Sequence, residues 1–210
     1  MKTIAIPPGA REQFPDLIAR MHRLRAQVFK DRLKWDVQVA DGLEVDDFDH
    51  FPATYILLLT EASTVSGCAR LLPASGPTML IRAFPQLLFN GKLDAHAGMI
   101  ESSRFCVDTA IDGGRREGVL HEATLTMLAA IIEWSMITGY CEIVTATDLR
   151  FERILKRAGW PMKRLGRPMR IGNTIAVAGS LSASPASLER VRPPGFISIA
   201  NPLHKAASGN

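Results

Sequence analysis

Hydrophobic residues along this chain recur with two periods, and the switches between them mark out its elements. Thr3–Ile6 reads as a short strand stopped by Pro7-Pro8. From Glu12 to Phe29 the residues Phe14, Leu17, Ile18, Met21, Leu24, Arg25 and Val28 fall at helical spacing, which predicts one apolar helix face. Lys30–Phe51 sustains neither period and reads as a long ordered loop with room for one helical turn. Loops of that length in a compact domain usually carry function. Ala53–Glu61 and Val65–Leu72 form a predicted hairpin around Ala62-Ser63-Thr64. A short helical stretch, Leu80–Leu88, is interrupted by Pro85, and Met99–Val107 is the next strand. Gly113-Gly114 breaks the chain before a long helix traced by Leu120, Thr124, Met127, Ile131 and Trp134 and closed by Gly139. Cys141–Ala146 is a buried strand, Leu149–Ala158 a basic helix capped by Gly159, and Met162–Arg170 with Thr174–Ser180 a last strand pair. The expected fold is a single α+β domain over residues 1–183, with a mixed, mainly antiparallel sheet flanked by helices and one crossover through the long helix. Residues 184–210 read as a tail.

Composition narrows the classes. A chain of 210 residues with 47% apolar and 22% charged residues is an ordinary globular domain. No apolar run approaches the ~20 residues of a membrane helix. The N-terminus carries no apolar stretch with a cleavage site, so no signal peptide is expected. Cys68, Cys106 and Cys141 lie in strand-like runs without a CxxC pair, the pattern of reduced thiols in a cytoplasmic protein. The histidines have no ligand spacing with Cys, Asp or Glu, so no metal is expected. The net charge of +4 is unevenly spread. Between Thr145 and Arg170 eight basic residues face two acidic ones, leaving the rest of the chain net negative. Such a patch suits an acidic protein or a phosphorylated cofactor, or it is simply a solvated helix face. No nucleic-acid-binding pattern accompanies it.

Two groups of residues break the apolar pattern. Arg25 lies on the apolar face of the first helix with Phe29 one turn on, followed by Trp35, Glu44, Asp46, Asp47 and Asp49. A cation in an apolar stripe needs a buried counter-charge, which these carboxylates supply. The arrangement either pins the loop or forms a site for a cationic small molecule, with Phe29 and Trp35 offering aromatic faces. In the strands, Arg70, Glu101 and Arg104 occupy positions where apolar residues belong, and Arg70 with Glu101 on neighbouring strands is a candidate ion pair. A buried glutamate of this kind has its pKa raised toward that of a general base.

The element order resembles the GCN5-related N-acetyltransferase fold, in which a thioester enters where the fourth and fifth strands splay, here Met99–Val107 and Cys141–Ala146. Arg25, Phe29, Trp35, Glu44, Asp46, Asp49, Arg70, Phe84, Glu101 and Arg104 resemble, in order and spacing, the acyl-homoserine lactone synthases (the LuxI-type autoinducer synthases). Residues 141–166 are similar to the TraI-type branch. The resemblance implies a cytoplasmic acyltransferase that makes a quorum-sensing signal. S-adenosylmethionine would be a substrate rather than a cofactor, acylated by an acyl carrier protein or acyl-CoA and then cyclised with release of methylthioadenosine. It also implies roles. Glu101, Arg25, Asp46, Asp49, Arg70, Arg104 and Glu44 would form the catalytic network, with Glu101 first and Glu44 second as the base. Phe29, Trp35, Phe84, Ser103 and Arg104 would bind S-adenosylmethionine. Met79, Phe105, Met127, Leu128, Thr145 and Leu155 would line the acyl pocket, Thr145 matching donors with a 3-oxo group. Main-chain amides near Arg104 and Phe105 would hold the thioester oxyanion. Arg150, Arg153, Lys156, Arg157, Lys163 and Arg164 would dock the acyl carrier, with no membrane or nucleic-acid partner.

The acetyltransferase pyrophosphate loop survives only as Arg115-Arg116-Glu117-Gly118-Val119-Leu120, which weakens the expectation of CoA. Two rival readings stay open on sequence grounds, a CoA-dependent N-acyltransferase acting on another amine and a non-enzymatic binding protein.

Overall fold

The computed structural model describes residues 1–108 and 122–199. Its elements are β1 (Lys2–Ile6), α1 (Pro15–Arg25), β2 (Val39–Ala40), β3 (Leu43–Glu44), β4 (Thr54–Leu59), β5 (Val65–Pro73) and α2 (Met79–Arg82). They continue with β6 (Met99–Val107), α3 (Glu122–Ile137), β7 (Glu142–Asp148), α4 (Leu149–Arg157), β8 (Lys163–Arg164), β9 (Met169–Ile171), β10 (Thr174–Ser182) and α5 (Pro185–Val191). The large sheet runs β1-β4-β5-β6-β7-β10-β8, with β9 on the free part of β10. Every pair is antiparallel except β6 with β7, the strands joined by the crossover through α3. This is the mixed α+β sheet expected from the sequence. The remnant pyrophosphate loop lies outside the described residues.

The period of two sorts the side chains onto two faces. Ile56, Leu58, Ala69, Leu71, Ile143 and Leu181 share one face with α3, Leu155 of α4 and Val191 of α5. Tyr55, Leu57, Cys68 and Cys106 point the other way, under Met21, Leu24 and Val28. Val144 and Ala178 lie on that second face with Leu80 of α2. α3 is apolar on most sides because most of it is covered: Ala129, Ala130 and Ile132 have no exposed surface, whereas Ile137 at its end is exposed. Part of its cover comes from the segment beyond residue 184. α5 packs on it, Phe196 and Ile199 join the same core, and the Ile199 amide donates to Glu133 Oε2 at 2.7 Å.

Two irregularities in the sheet position the functional side chains. β6 and β7 pair only from Met99–Glu101 against Glu142–Val144, so the sheet opens beyond Glu101 and Val144. Between β5 and β6 the register jumps from Cys68↔Cys106 to Arg70↔Ser103, placing one extra residue on β6. That bulge is at Arg104, whose φ is +53°.

Elsewhere the structure departs from the periodicity. The first helix changes at Ala26 into a wider π-helical stretch to Arg32, seen in the Leu33 amide bonding the Val28 carbonyl. The expected loop holds the β2–β3 hairpin, turned by Asp41 and Gly42, both at positive φ. Met162–Arg170 is two strands, not one. Pro168 has no amide to donate, and Gly166 sits against the Leu87 backbone while the Phe89 amide bonds the Leu165 carbonyl at 2.8 Å. Cys141, expected in the core, is exposed just before β7.

A Cβ on Gly166 would overlap the Leu87 carbonyl and lie 3.2 Å from the Leu88 amide. Backbone cannot step aside as a side chain can. Gly166→Ala is therefore expected to lower stability by about 1–3 kcal/mol, read as a shift of the urea denaturation midpoint.

Candidate active site

Three arginines, two of them fully buried, converge from three elements. Arg25, the last residue of α1, has no exposed surface. Its Nε donates to Glu44 Oε2 at 2.5 Å, and its two Nη atoms grip Asp49 Oδ1 and Oδ2 at 2.8 Å each. Arg70 of β5, equally buried, bonds Asp46 Oδ1 at 2.5 Å, Asp49 Oδ1 at 2.8 Å and Ser103 Oγ at 3.2 Å. Arg104, partly buried, bonds Glu44 Oε1 at 3.0 Å and Asp46 Oδ2 at 2.7 Å. Three guanidiniums thus face three carboxylates, and the bidentate geometry is what planar guanidinium favours.

The bulge explains how Arg104 arrives there. In a regular strand Ser103 and Arg104 point to opposite faces, but the extra residue lets both reach the face of α1. Asp46 and Asp49 are placed locally. Asp46 accepts from the Phe48 amide and Asp49 from the Asp46 amide, each at 2.9 Å, closing the reciprocal cap of the short helix Asp47–His50. Burial works against the charge of Asp49, but the hydrogen bond and charge of Arg25, with Arg70 behind it, hold its pKa well below the ordinary range.

Glu101 stands apart from this network. The anticipated Arg70–Glu101 pair is replaced, because Arg70 turns to Asp46, Asp49 and Ser103. Glu101 instead accepts from the Met79 amide at 3.1 Å and the Leu80 amide at 2.7 Å, at the start of α2. It is 1% exposed, and burial raises its pKa despite those two amides. It sits on the last residue pair before β6 and β7 part.

Phe29 and Trp35 stack with centroids 5.2 Å apart and 2° between planes, and Arg104 lies 5.6 Å from the Phe29 centroid. Asn173 in the β9–β10 turn donates to the Lys34 carbonyl at 3.3 Å, tying that turn to the residue before Trp35. Phe84 is partly buried with Leu80, Val144 and Ala178. The residues expected to line an acyl pocket divide between the faces. Met79 is at the arginine cluster, its Sδ 3.4 Å from Arg104 Nη1. Phe105, Met127, Leu128 and Leu155 belong to the α3 side, and Thr145, half-buried, is the first residue of β7 past the pairing. Arg150, Arg153, Lys156, Arg157, Lys163 and Arg164 are all exposed, and Arg164 pairs with Glu152 through two bonds of 2.6 and 2.7 Å. Among the described residues, no group of three or more His, Cys, Asp or Glu has the placement to hold a metal, and no helix is long and apolar enough to cross a membrane.

Three residues in this site were not signalled by sequence. Tyr55 Oη donates to Asp49 Oδ1 at 2.8 Å. Arg11 holds the Asp49, Phe51 and Ala53 carbonyls and covers the Tyr55 ring at 4.8 Å. His22 Nδ1 contacts the Glu44 carbonyl at 2.7 Å, which makes that nitrogen the protonated one. Their spacing looks like core and surface; only the fold shows them bracing the acidic segment, Tyr55 through the Asp49 carboxylate and Arg11 and His22 through its main chain.

A mixed sheet that opens beside a buried charged cluster defines an acyltransferase with the GCN5-related N-acetyltransferase architecture. Residues 11–191 match the autoinducer synthase family. The chain is 58% identical over 199 residues to the acyl-homoserine-lactone synthase of Agrobacterium fabrum, covering 95% of this chain and 94% of the relative. The crystal structure of the AHL synthase LasI aligns with a TM-score of 0.78 at 31% identity, over 90% of this chain and 93% of that one. BjaI, a CoA-dependent acyl-homoserine lactone synthase solved with S-adenosylmethionine and isopentyl-CoA, shares the fold with a TM-score of 0.82 at 24% identity, over 94% and 92% of the two chains. The chain belongs to the autoinducer synthase family. The high identity to the Agrobacterium enzyme agrees with the TraI-type branch.

His22 supplies a pH test. Burial first, then the charge of Arg25, lowers its pKa from 6.5, while Glu44 and Asp49 oppose the shift. The folded state then binds the proton less tightly than the unfolded state. Stability from this group is complete above the unfolded value of about 6.5 and is lost as pH falls below it. The denaturation midpoint is expected to drop more steeply below neutral pH in the wild type than in His22→Asn, which keeps an N–H donor without the titration.

Proposed function

We infer that the chain synthesises an N-acyl-L-homoserine lactone from S-adenosylmethionine and an acyl thioester. The observation carrying this reading is the position of the three-arginine, three-carboxylate cluster on one face of the sheet, immediately beside the gap between β6 and β7. S-adenosylmethionine presents a sulfonium, an ammonium, a carboxylate and an adenine. Asp46 and Glu44 are suited to its cations, Arg104 to its carboxylate, and the Phe29–Trp35 stack with Phe84 to its flat and apolar parts. BjaI, solved with both substrate types, carries the same fold.

The reaction divides into two bond exchanges. The α-ammonium loses one proton to the base, and through it to solvent; the free amine forms the C–N bond at the thioester carbonyl, the C–S bond breaks, and the second nitrogen proton passes to the leaving thiolate. Glu101 is the base for this step, working through water, because burial holds its pKa up where Glu44 is clamped by Arg25 and Arg104. Main-chain amides around Arg104 and Phe105, on the side of β6 that β7 leaves beyond Glu101, face the developing oxyanion. In the second step the methionyl carboxylate attacks Cγ and breaks the C–S⁺ bond, so the sulfonium leaves as neutral methylthioadenosine. This step is intramolecular, and positioning carries it.

The acyl chain lies on the α3 side, against Phe105 and Thr145, over a floor of Met127, Leu128 and Leu155. In this reading the Thr145 hydroxyl donates to a 3-oxo group, and Met79 lies between the two substrates. The exposed basic residues Arg150, Arg153, Lys156, Arg157, Lys163 and Arg164 form the docking surface for an acyl carrier protein. The boundary near residue 183 separates the catalytic sheet from the covering segment. A cytoplasmic location goes with this reading, since both substrates are intracellular metabolites.

With S-adenosylmethionine and a series of acyl thioesters, the wild type should release methylthioadenosine and yield a lactone seen by mass spectrometry. Failure to release methylthioadenosine with every donor would overturn the assignment. Glu101→Gln keeps an acceptor for the α2 amides, so it should remain folded while turnover falls about 10²–10⁴-fold. For the carrier, Arg153→Glu combined with Lys156→Glu should raise KM for an acyl carrier protein about tenfold. The wild-type rate with that donor should also fall as salt rises; a salt-independent rate would remove the docking surface from the proposal.

A further inference from the structure

We propose that Met162 is the movable end wall of the acyl pocket and, seated on Gly179, sets the chain length of the donor. The inference rests on the functional reading above and adds a residue to it. Gly179 of β10 pairs with Thr145 of β7 on one side and with Arg164 of β8 on the other. Paired residues share a face, so a side chain at Gly179 would stand beside that of Thr145. That place is already filled. A Cβ built on Gly179 would overlap the Met162 Cγ and Sδ and lie 2.9 Å from Cε. The thioether therefore lies flat on the bare backbone of β10, next to the first residue of β7 beyond the splay.

Apart from the exposed Arg164–Glu152 pair, which shares this face beside Gly179, the surroundings are apolar, as the end of an acyl chain needs. Met162 is half-buried against the α3-side core that contains Leu128, Leu155 and Leu181, and Phe105 and Phe151 pack on the same core with centroids 4.7 Å apart. The arginine cluster is on the opposite face. A methionine has three flexible torsions and no branch, so it fills an irregular end space and yields to a ligand more readily than a stiff side chain. Gly179 is what lets it lie low. Any side chain there would lift the thioether toward Thr145 and shorten the space.

The test is a donor series of increasing acyl length, assayed as kcat/KM with saturating S-adenosylmethionine and as the lactones formed in competition. The wild type is measured first; if it forms no lactone with any donor, the functional reading fails and not the seat. Met162→Ala is expected to raise the preference for a donor one methylene longer about tenfold, and Gly179→Ala to move it toward shorter donors. Met162→Leu, of similar volume but stiffer, should narrow the range of accepted chains and guards against loss of fold in the alanine variant. KM for S-adenosylmethionine should stay unchanged in all three. Folded variants, checked by thermal melting, that keep the wild-type length profile would overturn the proposal, as would a matching loss of affinity for S-adenosylmethionine.

Discussion

Asp49 is the joint on which the site depends. One carboxylate accepts both Nη atoms of Arg25, one Nη of Arg70 and the Tyr55 hydroxyl, and its other neighbour in the cap is the Asp46 amide. Buried charge is tolerable only when it is paired and every lone pair is used. Here the pairing is also a tether. Arg25 belongs to α1, Arg70 to the sheet, and Asp49 to the segment between them, so satisfying the charges fixes the distance between helix and strands. Removing one partner of such a set leaves a charge uncompensated, at a cost of about 3–5 kcal/mol. Arg11 and His22 extend the bracing outward, binding the main chain of the acidic segment rather than its carboxylates.

This arrangement divides labour among the carboxylates. Glu44, Asp46 and Asp49 are occupied by guanidiniums and serve as fixed negative charge. Glu101 is held by two neutral amides and makes no direct ion pair with a guanidinium, so burial lifts its pKa against the weaker opposing pull of those amides, Arg70 and Thr78. Three of the four acidic residues are therefore paired with guanidiniums and one is not, a division that the proposed function reads as anchors and a proton acceptor. The same logic makes Glu101→Gln more informative than a change at Asp49, where fold and activity fall together.

Much of the scaffold is legible in the sequence. Met99–Val107 has the predicted bounds, and Gly139 and Gly159 end α3 and α4 at positive φ as expected. The acidic segment, Arg25 and the arginines of β5 and β6 stand out because charge in an apolar run demands a reason. What escapes the sequence has a physical cause in each case. A one-residue bulge leaves alternation almost intact along the chain, so the re-aiming of Arg104 is invisible there and an Arg70–Glu101 pair looks natural. Asp41-Gly42 is a hairpin signal, but strands of two residues are too short to show a period. Tyr55 and His22 sit at apolar-looking positions, and their partners are set by the fold rather than by local spacing. Residues 184–199 lack strong periodicity because the surface they cover, not their own pattern, holds them.

The sheet itself solves a problem of incompatible substrates. A sulfonium amino acid needs fixed charge, whereas an acyl chain needs a dry apolar wall, and neither environment tolerates the other at close quarters. With charge on the α1 face and hydrocarbon on the α3 face, an intact sheet would keep them apart and no bond would form. The opening after Glu101 and Val144 is where a carbonyl belonging to one substrate can meet an amine belonging to the other. Glu101 stands at its last closed pair and Thr145 at its first open residue. The bulge at Arg104 and the bare backbone at Gly179 flank the same opening, one bringing a cation to the polar side and the other seating the Met162 thioether on the apolar side. The first departs from regular strand geometry and the second is a missing side chain in a regular strand, and they occur where the two faces have to communicate.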